Sequence, residues 1–194
     1  TILGAGYGMG AQKFQDQLKT FGFDMELHEA RRVIKIYRET NHKINKLWRD
    51  AQAFLKDGNS FGLYGVLFVE DGKILLPSGL YLRYDDLQFT TTDRGVEFDY
   101  KTRRGRVRIY GGKIIENVCQ AIARCIIGEQ MLQIAKRYRV VLTVHDSIAC
   151  CVKDEEVDEA QEYIEECMRR PPEWADGLPI DCESGTGKSY GECD

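Results

Sequence analysis

The sequence has no apolar run long enough to span a membrane and no export signal. A transmembrane helix needs ~20 mostly apolar residues in a row, and no stretch of this chain approaches that length. A secretory signal combines a cationic start, an apolar stretch and a small-residue cleavage site, and that combination is missing. We therefore predict that the protein is not secreted and has no membrane partner.

The sequence also has no cysteines at the spacings typical of metal-binding motifs. The seven cysteines are odd in number, none forms a CxxC pair, and no set of Cys and His has the spacing of a zinc finger. These features disfavour a structural zinc site. We predict thiols in a reducing cytosol, four of them in segments that read as buried helix or strand.

The chain lacks the net positive charge expected of a nucleic-acid-binding protein, since its formal net charge is −4. That charge is unevenly distributed. Residues 153–194 hold 4 basic and 14 acidic side chains, whereas residues 1–152 hold 23 basic and 17 acidic ones. One stretch is markedly basic: Lys101, Arg103, Arg104, Arg106, Arg108 and Lys113. An acidic C-terminal segment thus masks a moderately basic body, and a nucleic-acid partner stays open.

Apolar spacing and turn residues predict an α+β fold. Spacings of three and four predict helices at 7–21, 26–56, 113–136 and 155–169. Asp24 is the expected cap of the second helix, and Asp57-Gly58 its end. Glycine and proline turns predict short strands over 61–110. Two apolar segments joined with almost no loop predict a hairpin at 140–152, and a last short strand is expected at 178–182. Alternation places Arg104, Arg106 and Arg108 on one basic strand face.

The hairpin carries the strongest chemical signal. Two apolar strands in Leu142–Ile148 are joined with almost no loop, and Asp146 sits at the tip. Flanking strands hold such a carboxylate in place while leaving it accessible to a cation. Aspartate is also favoured in turns for its local hydrogen bonds, so a purely structural role is the alternative.

The segment Val144-His145-Asp146-Ser147 resembles motif C of the family A DNA polymerases, commonly Val-His-Asp-Glu. The resemblance implies that Asp146 is catalytic and ligates metal, one of two aspartates that hold two Mg²⁺ ions. It also implies that His145 lies near the primer terminus. Ser147 departs from the family pattern, which puts the accessory carboxylate in doubt.

Two further segments carry the same resemblance. Gly6-Tyr7-Gly8-Met9-Gly10 is similar to the end of motif B, which implies that Tyr7 and Gly8 face the nascent base pair and the template. Residues 114–124 resemble the palm helix before motif C, which implies minor-groove contacts from Gln120 and Arg124. Counting back from Tyr7 places the lysine that grips the triphosphate before Thr1. The resemblance implies that motif A, with the other metal-binding aspartate, also lies before Thr1. We expect the 194 residues alone to incorporate no nucleotide.

The resemblance implies a division into fingers helices at 1–60 and a palm portion at 61–194. The palm portion comprises a strand-rich insertion at 61–110, a primer–template helix at 113–136, the motif C hairpin at 140–152 and a C-terminal helix and tail at 155–194. The implied partners are primer–template DNA, deoxynucleoside triphosphates and the upstream remainder of the polymerase, in the cytoplasm of a bacterial or phage-infected cell. The candidate phosphate contacts are basic side chains: Lys101, Arg104, Arg106, Arg108 and Lys113.

Two other interpretations remain. A non-catalytic DNA-binding relative would keep the fold without the chemistry, and Ser147 is compatible with that. A dinucleotide-binding oxidoreductase would use the glycine-rich start at Gly4–Gly10, but Met9 stands where the third glycine of GxGxxG belongs. Gly185–Ser189 imitates a P-loop, yet its first glycine is replaced by Cys182.

Overall fold

A computed structural model of the chain describes residues 2–57, 67–69, 72–93 and 95–193. About half of the chain is helical and the strands form small antiparallel sheets, which confirms the α+β prediction. The helices are α1 Ile2–Gly6, α2 Ala11–Thr20, α3 Leu27–Thr40, α4 His42–Asp57, α5 Gly111–Ile134 and α6 Val157–Arg169. Single 3-10 turns lie at Asp154–Glu156, Glu173–Ala175 and Tyr190–Glu192. No helix in the described ranges is long and apolar enough to cross a membrane.

The described strands form three separate antiparallel sheets. Their bounds are β1 Leu67–Val69, β2 Lys73–Leu75, β3 Tyr81–Arg83, β4 Gln88–Thr92, β5 Gly95–Thr102, β6 Gly105–Ile109, β7 Arg139–Val144 and β8 Ser147–Cys151. The sheets are β1-β2-β3, β4-β5-β6 and the hairpin β7-β8. The described part of 61–110 therefore confirms the predicted strands, while Asp71 and Arg94 of two predicted turns lie outside it.

The chain divides into two compact units, residues 1–119 and 120–194, with the boundary inside α5. The first unit has a small core of buried side chains from α1, α2 and α3: Ala5, Phe14, Ala30 and Ile34. The second has a core from α5, the turn after it and α6: Ile134, Tyr138, Ala160 and Cys167. The predicted assignment of 1–60 to fingers and 61–194 to palm stays a prediction.

The predicted single helix over 26–56 is wrong, because the chain breaks at Asn41 into α3 and α4. Asn41 has φ −100° and ψ 45°, and its side-chain amide donates to the carbonyl oxygen of Tyr37 at 2.9 Å. The amide of Asn45 donates to Arg38 O at 2.8 Å. Asparagine side chains that satisfy backbone acceptors in this way compete with the helical ladder and end it.

Helix starts were also misplaced. Glu26, not Asp24, caps α3, through a capping box with Glu29, whose carboxylate accepts the Glu26 backbone N–H at 3.2 Å. The first predicted helix begins at Ala11 rather than at residue 7, after the extended N-cap residue Gly10. The described part of α4 runs to Asp57, and Gly58 of the predicted Asp57-Gly58 stop lies outside the described residues.

Three smaller expectations fail. Arg104 lies in the turn before β6 rather than in the strand. Residues 178–182 form no strand among the described residues, because hydrogen bonds from Arg169 rather than from a neighbouring strand hold that segment. Only Cys167 is buried among the cysteines, whereas Cys119 and Cys151 are exposed. The buried face of α5 follows Ile114, Val118, Ile127 and Ile134, which turns Cys119 toward solvent.

Candidate metal and nucleic-acid site

A two-residue loop presents Asp146 at the tip of the β7-β8 hairpin. Val144 pairs with Ser147, so only His145 and Asp146 lie between the strands. His145 has φ 53°, the left-handed conformation that tight hairpin turns require. Asp146 and His145 are both exposed. The predicted hairpin is thus confirmed, and its carboxylate is accessible from solvent.

Apolar packing anchors the strands behind this tip. Val140, Ile148 and Cys150 of the hairpin pack against the core of the second unit. Arg137, two residues before β7, lies over the rings of Tyr138 and Tyr163, with its guanidinium carbon 5.4 and 5.2 Å from their centroids. It also pairs with Glu159, and that contact raises the pKa of the Arg137 guanidinium. The base of the hairpin is therefore fixed by both packing and charge.

Gln120 and Arg124 lie on α5 in the same unit. They are four residues apart, so they share one helix face, and both side chains are exposed. Within the described part of the chain, neither of them makes a side-chain hydrogen bond or ion pair, and the same holds for His145 and Asp146. All four predicted site residues of this unit are available to a ligand.

Tyr7 and Gly8, in the first unit, occupy the turn between α1 and α2. The hydroxyl of Tyr110 donates to the carbonyl oxygen of Tyr7 at 3.4 Å. Gly8 has φ +82°, and a Cβ there would meet the Tyr110 ring at 3.4 Å. Glycine is therefore required by the backbone conformation, a reason independent of any template strand.

The predicted basic face of β6 is largely neutralised within the chain. Arg106 pairs with Asp99 and, at 2.7 Å, with Asp86. The Asp99 contact raises the pKa of Arg106, and the guanidinium holds the pKa of the Asp86 carboxyl below its ordinary value. Arg108 reaches Glu97 at 2.5 Å, and Lys113 reaches Glu116 at 2.8 Å. In the described ranges Lys101 and Arg104 form no ion pair.

The sequence is 31% identical to the DNA polymerase of Bacillus phage SP02 over 176 residues. Part of this chain is similar to a phage DNA polymerase. The alignment covers 78% of the chain but 26% of that protein, so the chain spans about a quarter of the length of this curated relative. No protein-family model and no solved structure matches the chain. The similarity supports the resemblance to DNA polymerases that the motifs indicated.

Asp146 at the hairpin tip fits a magnesium site in which other groups supply the remaining ligands. Mg²⁺ prefers oxygen ligands and is commonly held by one or two carboxylates together with substrate phosphates. Asp146 offers one such carboxylate. No group of three or more His, Cys, Asp or Glu side chains within the described segments is arranged to hold a metal ion. Asp146 can therefore contribute one ligand of a shared site.

Sequence reasoning missed a basic cavity in the first unit. The cavity has a volume of about 470 Å³, and its lining includes Gly8, Arg38, His42, Trp48, Arg49 and Tyr110. A signal was present, because α3 and α4 together hold eight Lys and Arg but four Asp and Glu side chains. The prediction of one unbroken helix concealed it, since the helix break brings Arg38 and Arg49 to one cavity.

Proposed function

We propose that this chain is part of a DNA-directed DNA polymerase of family A, a nucleotidyltransferase that adds deoxynucleotides to the 3′-hydroxyl of a primer. The observation that carries the proposal is the exposed Asp146 carboxylate at an anchored hairpin tip, where it has no partner among the described residues. Similarity to a phage DNA polymerase over 78% of the chain supports it.

In this proposal Asp146 is one of two aspartates that hold a pair of Mg²⁺ ions. The chemistry that the ions supply when bound is activation of the primer 3′-hydroxyl and neutralisation of charge on the leaving pyrophosphate. The contribution of the chain is to fix one carboxylate that forms no ion pair with any described Lys, Arg or His side chain, so that it can attract the ions. His145, its neighbour at the tip, meets the primer terminus.

The remaining residues position DNA. Gln120 and Arg124 donate to the acceptors that the minor groove presents at similar places in every base pair, so they sense correct pairing without reading sequence. The Tyr7 ring stacks on the nascent base pair. Lys101 and Arg104 contact phosphates, because Arg106, Arg108 and Lys113 of the predicted set already have carboxylate partners.

The test is Asp146→Asn in a full-length polymerase that carries this sequence. We expect primer extension to fall by at least ~100-fold, because removing one preorganised charge from a transition state has effects of that order. Binding of primer–template, measured by fluorescence anisotropy, should survive. Asp93→Asn is the matched control, since Asp93 is also exposed and also lies in a hairpin turn. Near-normal extension by Asp146→Asn would refute the role.

A second candidate is a DNA-binding relative without catalysis. Ser147 in place of glutamate and the single carboxylate at the tip favour it. In that case wild-type full-length protein would bind primer–template and extend no primer under any divalent metal. The oxidoreductase alternative loses its basis, because Ile2–Gly6 is helical and no parallel strand pair occurs in the described part of the chain.

A further inference from the structure

We propose that the cavity in the first unit binds unpaired nucleotides of a single-stranded DNA segment. Arg38 and Arg49 hold its phosphates, and Trp48 stacks on a base. The proposal deepens the proposed polymerase function, on which the identity of the strand as an unpaired template rests. None of these three side chains belongs to the residues that the sequence motifs singled out.

Uncompensated positive charge is the first argument. The lining contains two guanidinium groups and the imidazole of His42, but no carboxylate. Across the described ranges, none of these three side chains forms an ion pair or a side-chain hydrogen bond. Where cations lack internal partners, a polyanion gains the full attraction and releases its counterions. On β6, in contrast, Asp86, Asp99 and Glu97 already neutralise the arginines.

Neighbouring acids do not offset this charge. Glu39, one residue after Arg38, is paired with Lys35 at 3.7 Å. Asp50, one residue after Arg49, is paired with Lys46 at 2.5 Å. Each carboxylate thus faces its own lysine one helical turn away, and the two arginines keep their charge for a ligand.

Aromatic surface is the second argument. Trp48 is half-buried and Tyr110 is 45% exposed, so both rings keep accessible surface at the cavity. The hydroxyl of Tyr110 is held by Tyr7 O, and the backbone of Trp48 lies against Gly111. Both residues are therefore anchored at one end. Every base has a π-face, so such rings bind single strands with little sequence preference.

The shape of the site favours a strand over a lone nucleotide. At about 470 Å³ the cavity is within the ~300–1,000 Å³ range of small-ligand sites. A second cavity of about 330 Å³ shares Arg38 and Asn45 with it. Arg31 and Lys35 line that second cavity and lie on the same face of α3 as Arg38, and Lys35 is paired there with Glu39, which also lines the cavity. Arg31, about two helical turns from Arg38, therefore extends the cationic surface beyond the first cavity.

Tryptophan fluorescence gives a direct test. The chain has two tryptophans, Trp48 and Trp174, so Trp174→Phe leaves Trp48 as the single reporter. Titration of the Trp174→Phe chain with a short oligothymidylate should quench its emission through stacking. Absence of quenching, with folding verified by circular dichroism, would overturn the proposal. Saturation by a mononucleotide at the same affinity would also overturn it, because the site would then take a free nucleotide.

Salt dependence tests the phosphate contacts. For single strands, log affinity falls with log salt by ~0.7 per neutralised phosphate, so Arg38→Gln with Arg49→Gln should reduce the slope by ~1.4. The matched control is Arg32→Gln with Arg83→Gln, which removes the same charge from exposed sites that line neither cavity. The control slope should stay near wild type. Equal changes in both double variants would reduce the effect to net charge and refute the site.

The outcome is separable from that of the catalytic proposal. Asp146→Asn should leave the quenching of Trp48 intact, whereas the cavity variants should weaken single-strand binding. Loss of strand binding in the cavity variants, with normal extension by Asp146→Asn, would uphold this site and refute the catalytic role of Asp146. The reverse pattern would refute the cavity alone.

Discussion

At the scale of single residues, glycines decide where backbones can approach. Gly111 begins α5, and its N–H donates to the side-chain oxygen of Gln52 at 2.7 Å. A Cβ at this position would lie 1.8 Å from the carbonyl oxygen of Trp48 and 2.8 Å from its carbonyl carbon. Both atoms belong to the backbone of α4, so no side-chain rotation could relieve the clash. The start of α5 requires glycine here.

Gly111→Ala should therefore destabilise the first unit. Forcing atoms into a packed contact costs ~1–3 kcal/mol, and a backbone obstacle places the change at the upper end of that range. The measurement is the midpoint of urea unfolding. The control is Gly128→Ala, also inside α5, where a Cβ meets nothing within 4 Å. That variant should be stabilised by ~0.5–1 kcal/mol. A Gly111→Ala chain as stable as wild type would contradict the described approach of α4 to α5.

At the scale of elements, the C-terminal tail runs back along α6. Arg169 pairs with Asp181 at 2.9 Å, and Gln161 donates to Ser184 at 2.8 Å. Lys188 reaches Asp154, before the start of the helix, at 2.6 Å. Residues later in the tail contact residues earlier in α6 or just before it, so the tail runs antiparallel to α6. Side chains, rather than a strand ladder, hold it there.

Acid should release this tail. The Ser184 hydroxyl and then Arg169 hold the pKa of Glu165 below its ordinary value, and Arg169 does the same for Asp181. A carboxyl with a lowered pKa stabilises the folded state above its unfolded pKa of ~4, and that stabilisation is lost as pH falls through the folded value. Hydrogen exchange of residues 181–184, corrected for intrinsic rates, should show protection at neutral pH that disappears in acid.

Arg169→Gln should remove that protection at neutral pH as well. The control is Arg170→Gln, because Arg170 pairs with Glu166 on its own helix and not with the tail. The control should keep the wild-type exchange pattern. Equal protection in the Arg169→Gln chain and in wild type would show that the ion pairs do not hold the tail.

At the scale of the whole molecule, charge is divided between the two units. Residues 1–119 hold 19 basic and 15 acidic side chains, and residues 120–194 hold 8 basic and 16 acidic ones. The first unit is thus net positive and the second net negative. A net-negative unit repels DNA over distances set by the ionic strength, since the Debye length is ~30 Å at 0.01 M salt but ~3 Å at 1 M.

Neutralising exposed acids of the second unit should speed association with DNA at low salt. Glu173, Asp176 and Glu183 are exposed, and they have no ion-pair partner among the residues whose positions are described. Substituting all three with their amides should raise the association rate, measured by stopped flow, because long-range repulsion falls. The gain should vanish at high salt. A gain that persists there would indicate new short-range contacts instead.

Local chemistry determined the features that the sequence alone revealed. Two apolar segments joined with almost no loop predicted the β7-β8 hairpin with Asp146 at its tip, and the structure has both. Turn residues likewise predicted the short strands before α5. Such features depend on neighbours within a few positions, which a reader of the sequence can see. The helix break at Asn41 also has a local cause, the hydrogen bond from its side chain to Tyr37 O. The prediction missed this break because the apolar spacing continues across Asn41.

Only the tertiary structure decided which basic side chains have a carboxylate partner. Nothing in the sequence near Arg106 or Arg49 shows which of them has a carboxylate partner. The pairing of β5 with β6 brings Asp99 to Arg106, and the turn before β4 brings Asp86 to it. No described carboxylate reaches Arg49. This residue lines the cavity together with Tyr110, which lies 61 positions later in the chain. Strand register and helix packing join residues far apart in sequence. Since an ion pair forms only between groups that the fold brings together, composition and spacing could not reveal it.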